Sequence, residues 1–308
     1  MITAQDIMTR RLAVTSPSTR VVEAIDLLVS NRVSGLPVID SAGALVGRFS
    51  ERSAIAALDL GFLSSGSRVA SPLNQLTAGD LLDRTGLALK SDQDVFISGR
   101  QLIDHGVSGA PVVDSDGTLR GVFSEQSVMH AFIGLCWEQL PSSDVTAWID
   151  RHDDRRIAET TSLEEILLRF QNTQYRRLMV LRDGRFLGQV TRRDALQAAT
   201  VTSQEPLAQS QNLRGEGQLG LKTTVEAWMH RDVNQTTPQA DVLSIASQFL
   251  STEARQLPVL NDNQLEGQIS RSDLLRAVQR FFPQDAVSQG AQPLYLTSLD
   301  KHDARTVL

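Results

Sequence analysis

Residues 34–53 read SGLPVIDSAGALVGRFSERS, and residues 108–127 read SGAPVVDSDGTLRGVFSEQS, the same phrase once more. Residues 176–194 read RRLMVLRDGRFLGQVTRRD, and residues 255–273 read RQLPVLNDNQLEGQISRSD. The last two copies are one residue shorter between the apolar runs, where a hairpin tip tolerates a deletion. Self-similarity at long, regular intervals marks a chain built from one repeated supersecondary unit.

Each phrase translates into structure. Leu36–Ile39 is a short apolar strand, Asp40–Gly43 is a turn, and Leu45–Phe49 alternates as a second strand, so the phrase predicts a hairpin. Asp114–Gly117 and Arg182–Gly184 make the corresponding turns. Ser50, Ser124, Thr191 and Ser270 stand where a helix N-cap belongs, ahead of short helices such as Ser53–Leu58 and Asp273–Val278. Amphipathic helices precede the hairpins at Val21–Asn31, Val95–His105, Leu163–Thr173 and Val242–Ser251. In the first, Val21, Ala24, Ile25 and Leu28 share one face. The unit is strand, helix, strand, strand, helix in roughly 55 residues, too few to bury a sufficient core alone, so the copies are expected to pair.

Composition narrows the function. The chain has 308 residues, 41% hydrophobic and 21% charged, which is ordinary for a globular protein. Its formal charge of −6 argues against a general grip on nucleic acid phosphates. The lysines are Lys90, Lys222 and Lys301; the other basic residues are arginines, which suit planar recognition of carboxylate or phosphate or simply reflect base composition. One cysteine, Cys136, excludes an internal disulfide, a CxxC pair and a cysteine-rich zinc site. No stretch has the length and apolarity of a signal peptide or membrane span, so no membrane role and a cytoplasmic location are expected.

The four phrases resemble the CBS domain, named after cystathionine beta-synthase, whose copies pair as Bateman modules. The hydrophobic-Pro-Val strand, the Gly-containing second strand and the [ST]-x-x-D turn carry the resemblance. It spans about residues 5–60, 78–134, 145–199 and 225–281. The resemblance implies an α+β protein of four β-α-β-β-α repeats in two Bateman modules, 1–140 and 141–283, with a tail at 284–308. The layout is similar to the gamma subunit of AMP-activated protein kinase. Two assemblies stay open: modules stacked within one chain, or a homodimer. The connectors, about 61–77, 135–144 and 200–224, are too short for a catalytic domain, and the tail patch Leu294-Tyr295-Leu296 is expected to dock on the body or a partner.

The resemblance also implies an adenosine-containing ligand between paired repeats, with the motif aspartate on the ribose. A carboxylate accepts from both ribose hydroxyls. The motif is intact as Thr191-Arg192-Arg193-Asp194 and Ser270-Arg271-Ser272-Asp273, whereas the first half has Ser53 and Ser127 in place of the acid. Arg176, Arg177 and Arg255, just before the hairpins of the later copies, are expected at phosphate; the earlier copies have Val33-Ser34 and Val107-Ser108 there. Leu178, Met179, Leu257 and Pro258 are expected at adenine, Met179 replacing the usual proline. Against ligand binding stands the capping box: [ST]-x-x-[DE] also closes a helix start by reaching back to the cap amide. The arginines have a bland alternative too, local salt bridges with Glu159 or Asp183.

Other chemistry is absent from the pattern. His105, His130, His152, His230 and His302 make no His-x-x-x-His pair, and neither a Gly-x-Ser-x-Gly elbow nor a Walker loop occurs. The expectation is a non-enzymatic regulatory sensor that needs no cofactor. It binds AMP, ADP, ATP or S-adenosylmethionine in its second half and signals to an unidentified protein partner. The alternative is a degenerate scaffold for protein–protein interaction or oligomerisation without a small ligand.

Overall fold

The computed structural model describes residues 2–62, 75–84, 86–136, 145–204, 222–252 and 254–281. The expected connectors lie largely outside these residues, and the tail with Leu294–Leu296 lies wholly outside them.

All four repeats have the expected order. In the first, helix α1 (Val21–Ser30) is followed by β1 (Gly35–Ile39), β2 (Leu45–Ser50) and α2 (Glu51–Phe62). The second has β3 (Leu89–Lys90), α3 (Val95–Asp104), β4 (Gly109–Val113), β5 (Leu119–Ser124) and α4 (Glu125–Cys136). The third has β6 (Arg156–Ala158), α5 (Leu163–Asn172), β7 (Arg177–Arg182), β8 (Arg185–Thr191) and α6 (Arg192–Gln204). The fourth has α7 (Val242–Ser251), β9 (Gln256–Asn261), β10 (Gln264–Ser270) and α8 (Arg271–Phe281). The leading strand runs parallel to the first hairpin strand in repeats 2 and 3. In repeats 1 and 4 it shrinks to the single bridges Thr15 to Val38 and Thr236 to Val259.

The shorter turns of the later copies are two-residue hairpins, with Asp183 and Gly184, or Asp262 and Asn263, at positive φ. Two central residues at positive φ match the right-handed twist of the strands. The earlier copies use a longer loop in which the Asp40 carboxylate accepts from the amides of Ala42 and Ala44 at 2.9 Å.

The N-cap expectation holds at each second helix. The hydroxyls of Ser50, Ser124, Thr191 and Ser270 accept the amides of Ser53, Ser127, Asp194 and Asp273 at 3.2–3.3 Å. A further bond ties each helix to its hairpin: the amides of Glu51, Glu125, Arg192 and Arg271 donate to the carbonyls of Ser34, Ser108, Arg176 and Arg255.

The repeats also exchange their leading segments. Thr9 pairs with Val122, Asp83 with Arg48, Asp150 with Gln268 and His230 with Gln189, each through two backbone hydrogen bonds of 2.8–3.0 Å. Thus repeats 1 and 2 each lay a segment on the other's hairpin, and repeats 3 and 4 do the same. This explains a glycine common to all four phrases. A Cβ on Gly121 would stand 2.9 Å from the Thr9 carbonyl oxygen and one on Gly47 would stand 3.0 Å from that of Asp83; on Gly188 and Gly267 it would collide with the carbonyls of His230 and Asp150. Only glycine lets two backbones approach this closely.

Two compact units result. One gathers Ala13–Gly86 with Asp153–Val233, hence repeats 1 and 3; the other gathers Met1–Leu12, Leu87–His152 and Asn234–Leu308, hence repeats 2 and 4. The physical reason is where the helices bury their apolar faces. In the first unit Ile25, Leu28, Ile55 and Leu58 join Ile166, Phe170, Leu196 and Ala199 in one core. In the second, Leu102, Val128 and Met129 join Ile245, Phe249, Leu274 and Leu275. Burial of a Leu, Ile or Phe side chain contributes about 1.5–3 kcal/mol, so this helix packing dominates the grouping.

Candidate functional site

The [ST]-x-x-D turns of the second half are ordered by the hairpin and helix that flank them. In repeat 3, one oxygen of Asp194 (Oδ2) accepts both the amide of Thr191 (2.8 Å) and its hydroxyl (2.7 Å). In repeat 4, Asp273 Oδ2 accepts the amide of Ser270 at 2.9 Å and its hydroxyl through a short bond. Both aspartates therefore close a capping box, with the shorter acid in the place usually held by Glu. Their other oxygens face different partners. Asp194 Oδ1 lies 3.0 Å from His230 Nε2, and Asp273 Oδ1 lies 2.9 Å from Arg276 Nη1. The two carboxylates are mostly covered, with 14% and 20% of their side chains exposed, while His230 and Arg276 are 59% and 49% exposed.

In repeats 1 and 2 the serines substitute for the acid. Ser50 and Ser53 hydroxyls stand 3.2 Å apart, and Ser124 and Ser127 hydroxyls 3.1 Å. The helix still starts there, so the fold does not require the carboxylate. What the first half lacks is a negatively charged double acceptor.

The second residue of each [ST]-x-x-D turn in the second half has a structural part. Arg192 is 7% exposed, and its guanidinium donates to the carbonyls of Phe170 (3.3 Å) and Thr173 (2.9 Å) at the end of α5. Arg271 is 3% exposed and donates to Phe249 (3.1 Å) and Thr252 (3.3 Å) at the end of α7. The planar fork spans two orphan carbonyls of a helix C-terminus. Burial, with Arg176 adding repulsion, pulls the Arg192 pKa down to about 10; Glu51 opposes that shift and Arg52 adds to it. The side chain is still charged at neutral pH.

Glutamate takes this second position in the first half. Glu51 of repeat 1 pairs with Arg193 of repeat 3 at 3.5 Å. Glu125 of repeat 2 accepts from the Ser272 hydroxyl of repeat 4, and Gln126 accepts from Arg271 at 3.3 Å.

The remaining expected site residues fall as follows. Arg176 and Arg255 present their backbones one hydrogen bond from Arg192 and Arg271, and all three expected phosphate arginines are half-buried. Arg177 reaches the Gln189 side chain at 3.3 Å. Glu159, a proposed salt-bridge partner of these arginines, instead pairs with Arg182 at 2.7 Å. Leu178 and Leu257 are wholly buried in the two cores. By strand alternation Met179 and Pro258 lie on the opposite faces of β7 and β9. His230 and Arg276 were not anticipated. The repeated leading phrase Trp148-Ile149-Asp150-Arg151 and Trp228-Met229-His230-Arg231 could have pointed to His230.

Among the described residues no group of His, Cys, Asp and Glu has the arrangement of a metal site. No described helix is long and apolar enough to cross a membrane.

Comparison with known proteins places this geometry. Protein MJ1225 from Methanocaldococcus jannaschii is 22% identical over 282 residues, which is 87% of this chain and 95% of that protein. Its crystal structure, presented as that of a candidate archaeal homologue of g-AMPK, superposes with a TM-score of 0.75 at 18% identity, covering 89% of this chain and 99% of the other. The chloroplastic CBS domain-containing protein CBSX2 of Arabidopsis thaliana is 32% identical over 153 residues, 43% of this chain. The chain spans 64% of the length of that relative. A structure of CBSX2 in complex with AMP matches 42% of this chain at 34% identity, with a TM-score of 0.36. The family model of the CBS domain matches residues 4–60, 78–134, 148–200 and 225–280. With four matches over most of its length, the chain belongs to the CBS domain family.

Proposed function

We propose that the protein is a ligand-responsive regulatory module that binds an adenine nucleotide or another adenosyl ligand in its second half. The carrying observation is the pair Asp194 and Asp273, each a mostly covered carboxylate near a hairpin with arginine at or just before the start of its first strand, Arg176 and Arg177 in one and Arg255 in the other. The carboxylates suit the ribose diol, and Arg176, Arg177 and Arg255 suit phosphate, as the hydrogen-bond chemistry of each group requires. Met179 and Pro258, buried on the strand faces opposite Leu178 and Leu257, suit an adenine ring, with Leu178 and Leu257 contributing backbone. The protein acts without catalysis, and a protein partner reads the change in geometry between repeats that ligand binding produces.

Calorimetric titration with AMP, ADP, ATP and S-adenosylmethionine tests the reading; AMP comes first because the relative CBSX2 is known in complex with it. The double variant Asp194→Ala with Asp273→Ala should lose about 1.5–3 kcal/mol of binding per site, roughly ten- to a hundredfold in affinity. Absence of heat with all four ligands would sink the reading.

One observation favours the alternative, a scaffold for protein interaction: both aspartates already have complete capping boxes without a ligand. In that case the double variant changes stability and no ligand affinity.

A further inference from the structure

The contact between His230 and Asp194 joins two repeats at the carboxylate assigned to ribose. His230 lies in the segment that repeat 4 lends to repeat 3, and its backbone is fixed to Gln189 by bonds of 2.9 Å in both directions. Its imidazole then reaches Asp194 Oδ1 at 3.0 Å. A carboxylate oxygen only accepts, so His230 Nε2 carries the hydrogen.

Counting acceptor positions shows what this contact does. A carboxylate has about four lone-pair positions. Both positions on Asp194 Oδ2 are used by Thr191, through its amide and its hydroxyl. His230 takes one of the two on Oδ1, which leaves a single free position. A ribose offers two hydroxyl donors, whereas a 2′-deoxyribose offers one at this edge. The deoxy sugar can use the free position with His230 in place; the ribose diol is fully satisfied only when the imidazole leaves. The equivalent position of repeat 4 is filled from within its own helix, by Arg276 three residues beyond Asp273.

We infer that His230 is a specificity-setting latch on the repeat 3 site, an imidazole supplied by repeat 4 that a ribonucleotide must displace and a 2′-deoxyribonucleotide need not. Selectivity for the ribose is thus held below what the bare carboxylate would give, and occupancy of repeat 3 by a ribonucleotide frees a side chain of the segment lent by repeat 4. The inference rests on the reading of Asp194 as a ribose carboxylate, and the test separates the two.

The test uses the full chain carrying Asp273→Ala, so that repeat 3 alone supplies the acid, with AMP and 2′-deoxy-AMP as probes in calorimetry. Adding His230→Ala should tighten AMP about three- to thirtyfold, the worth of the hydrogen bond no longer displaced, and leave 2′-deoxy-AMP unchanged. His230→Gln, whose amide can still donate to Asp194, should bring AMP back toward its weaker binding. A change that moves both probes equally, or weaker AMP binding in His230→Ala, overturns the latch while the ribose reading stands. Binding that persists undiminished when Asp194→Ala is added, or no binding by any variant, removes the ribose reading itself and the latch with it.

Discussion

Glu51 of repeat 1 and Arg193 of repeat 3 meet at 3.5 Å, with 10% and 26% of their side chains exposed, where α2 packs against α6. Arg193 also donates to the Arg32 carbonyl at 2.7 Å, so repeat 1 is held by a charge pair and a backbone contact at once. A pair this covered is costly to break, because the survivor is left as an uncompensated buried charge. Arg193→Glu should destabilise the fold by about 3 kcal/mol, and the swap Glu51→Arg with Arg193→Glu should recover about half. Urea unfolding of the four variants of this cycle measures the coupling. Simple additivity would show that the pair does not stabilise the association of repeats 1 and 3.

Arg271, the counterpart of Arg192 in the other unit, serves two carbonyls at the end of α7 and lies over the Phe249 ring at 6.0 Å. Arg271→Ala should cost about 3 kcal/mol, since hydrogen bonds to a charged group are each worth roughly 1.5–3 kcal/mol and the carbonyls stay buried. Arg271→Lys should recover less than half, because an ammonium lacks the planar fork. Thermal unfolding reads both. Full rescue by lysine would show that charge alone matters there.

Gly188 and Gly267 are required by the carbonyls of His230 and Asp150 that cross them. Gly188→Ala or Gly267→Ala should destabilise by about 1–3 kcal/mol, the usual cost of forcing atoms into a filled space. Loss of amide protection at His230 in the first variant, and at Asp150 in the second, should accompany it. Unchanged hydrogen exchange at these amides would mean that the lent segments are not pinned by the close approach.

Acid should weaken the protein through its helix caps. Bonds from the Thr3 amide and hydroxyl hold the Asp6 carboxyl below its ordinary value of 3.8, and bonds from the amide and hydroxyl of Ser244 do so for Asp241. Asp80 is lowered in the same way by Thr77. A carboxyl whose folded pKa is depressed contributes stability that is present above the unfolded pKa and lost as pH falls through the folded pKa. Melting temperature should therefore be level above about pH 5 and fall below about pH 4. Asp241→Asn, which keeps a capping oxygen without titrating, should show a shallower fall. An equal slope in the variant would assign the acid transition to other groups.

Much of this protein is legible in the sequence because its determinants are local. Period-2 strands, the turn residues Asp40–Gly43 and Asp183-Gly184, and the hydroxyl caps Ser50, Ser124, Thr191 and Ser270 each act within a few residues. The local pattern recurs four times, and Ser in place of Asp at positions 53 and 127 distinguishes the turns of the first half from those of the second. Tertiary structure alone decided which repeats pack together, because every repeat offers a similar apolar helix face and local pattern cannot choose among them. The choice lies in long-range pairs such as Glu51 with Arg193 and Glu125 with Ser272. It also decided what Asp194 touches. His230 is 36 residues away in sequence and reaches the carboxylate only because a segment of one repeat is laid on the hairpin of another.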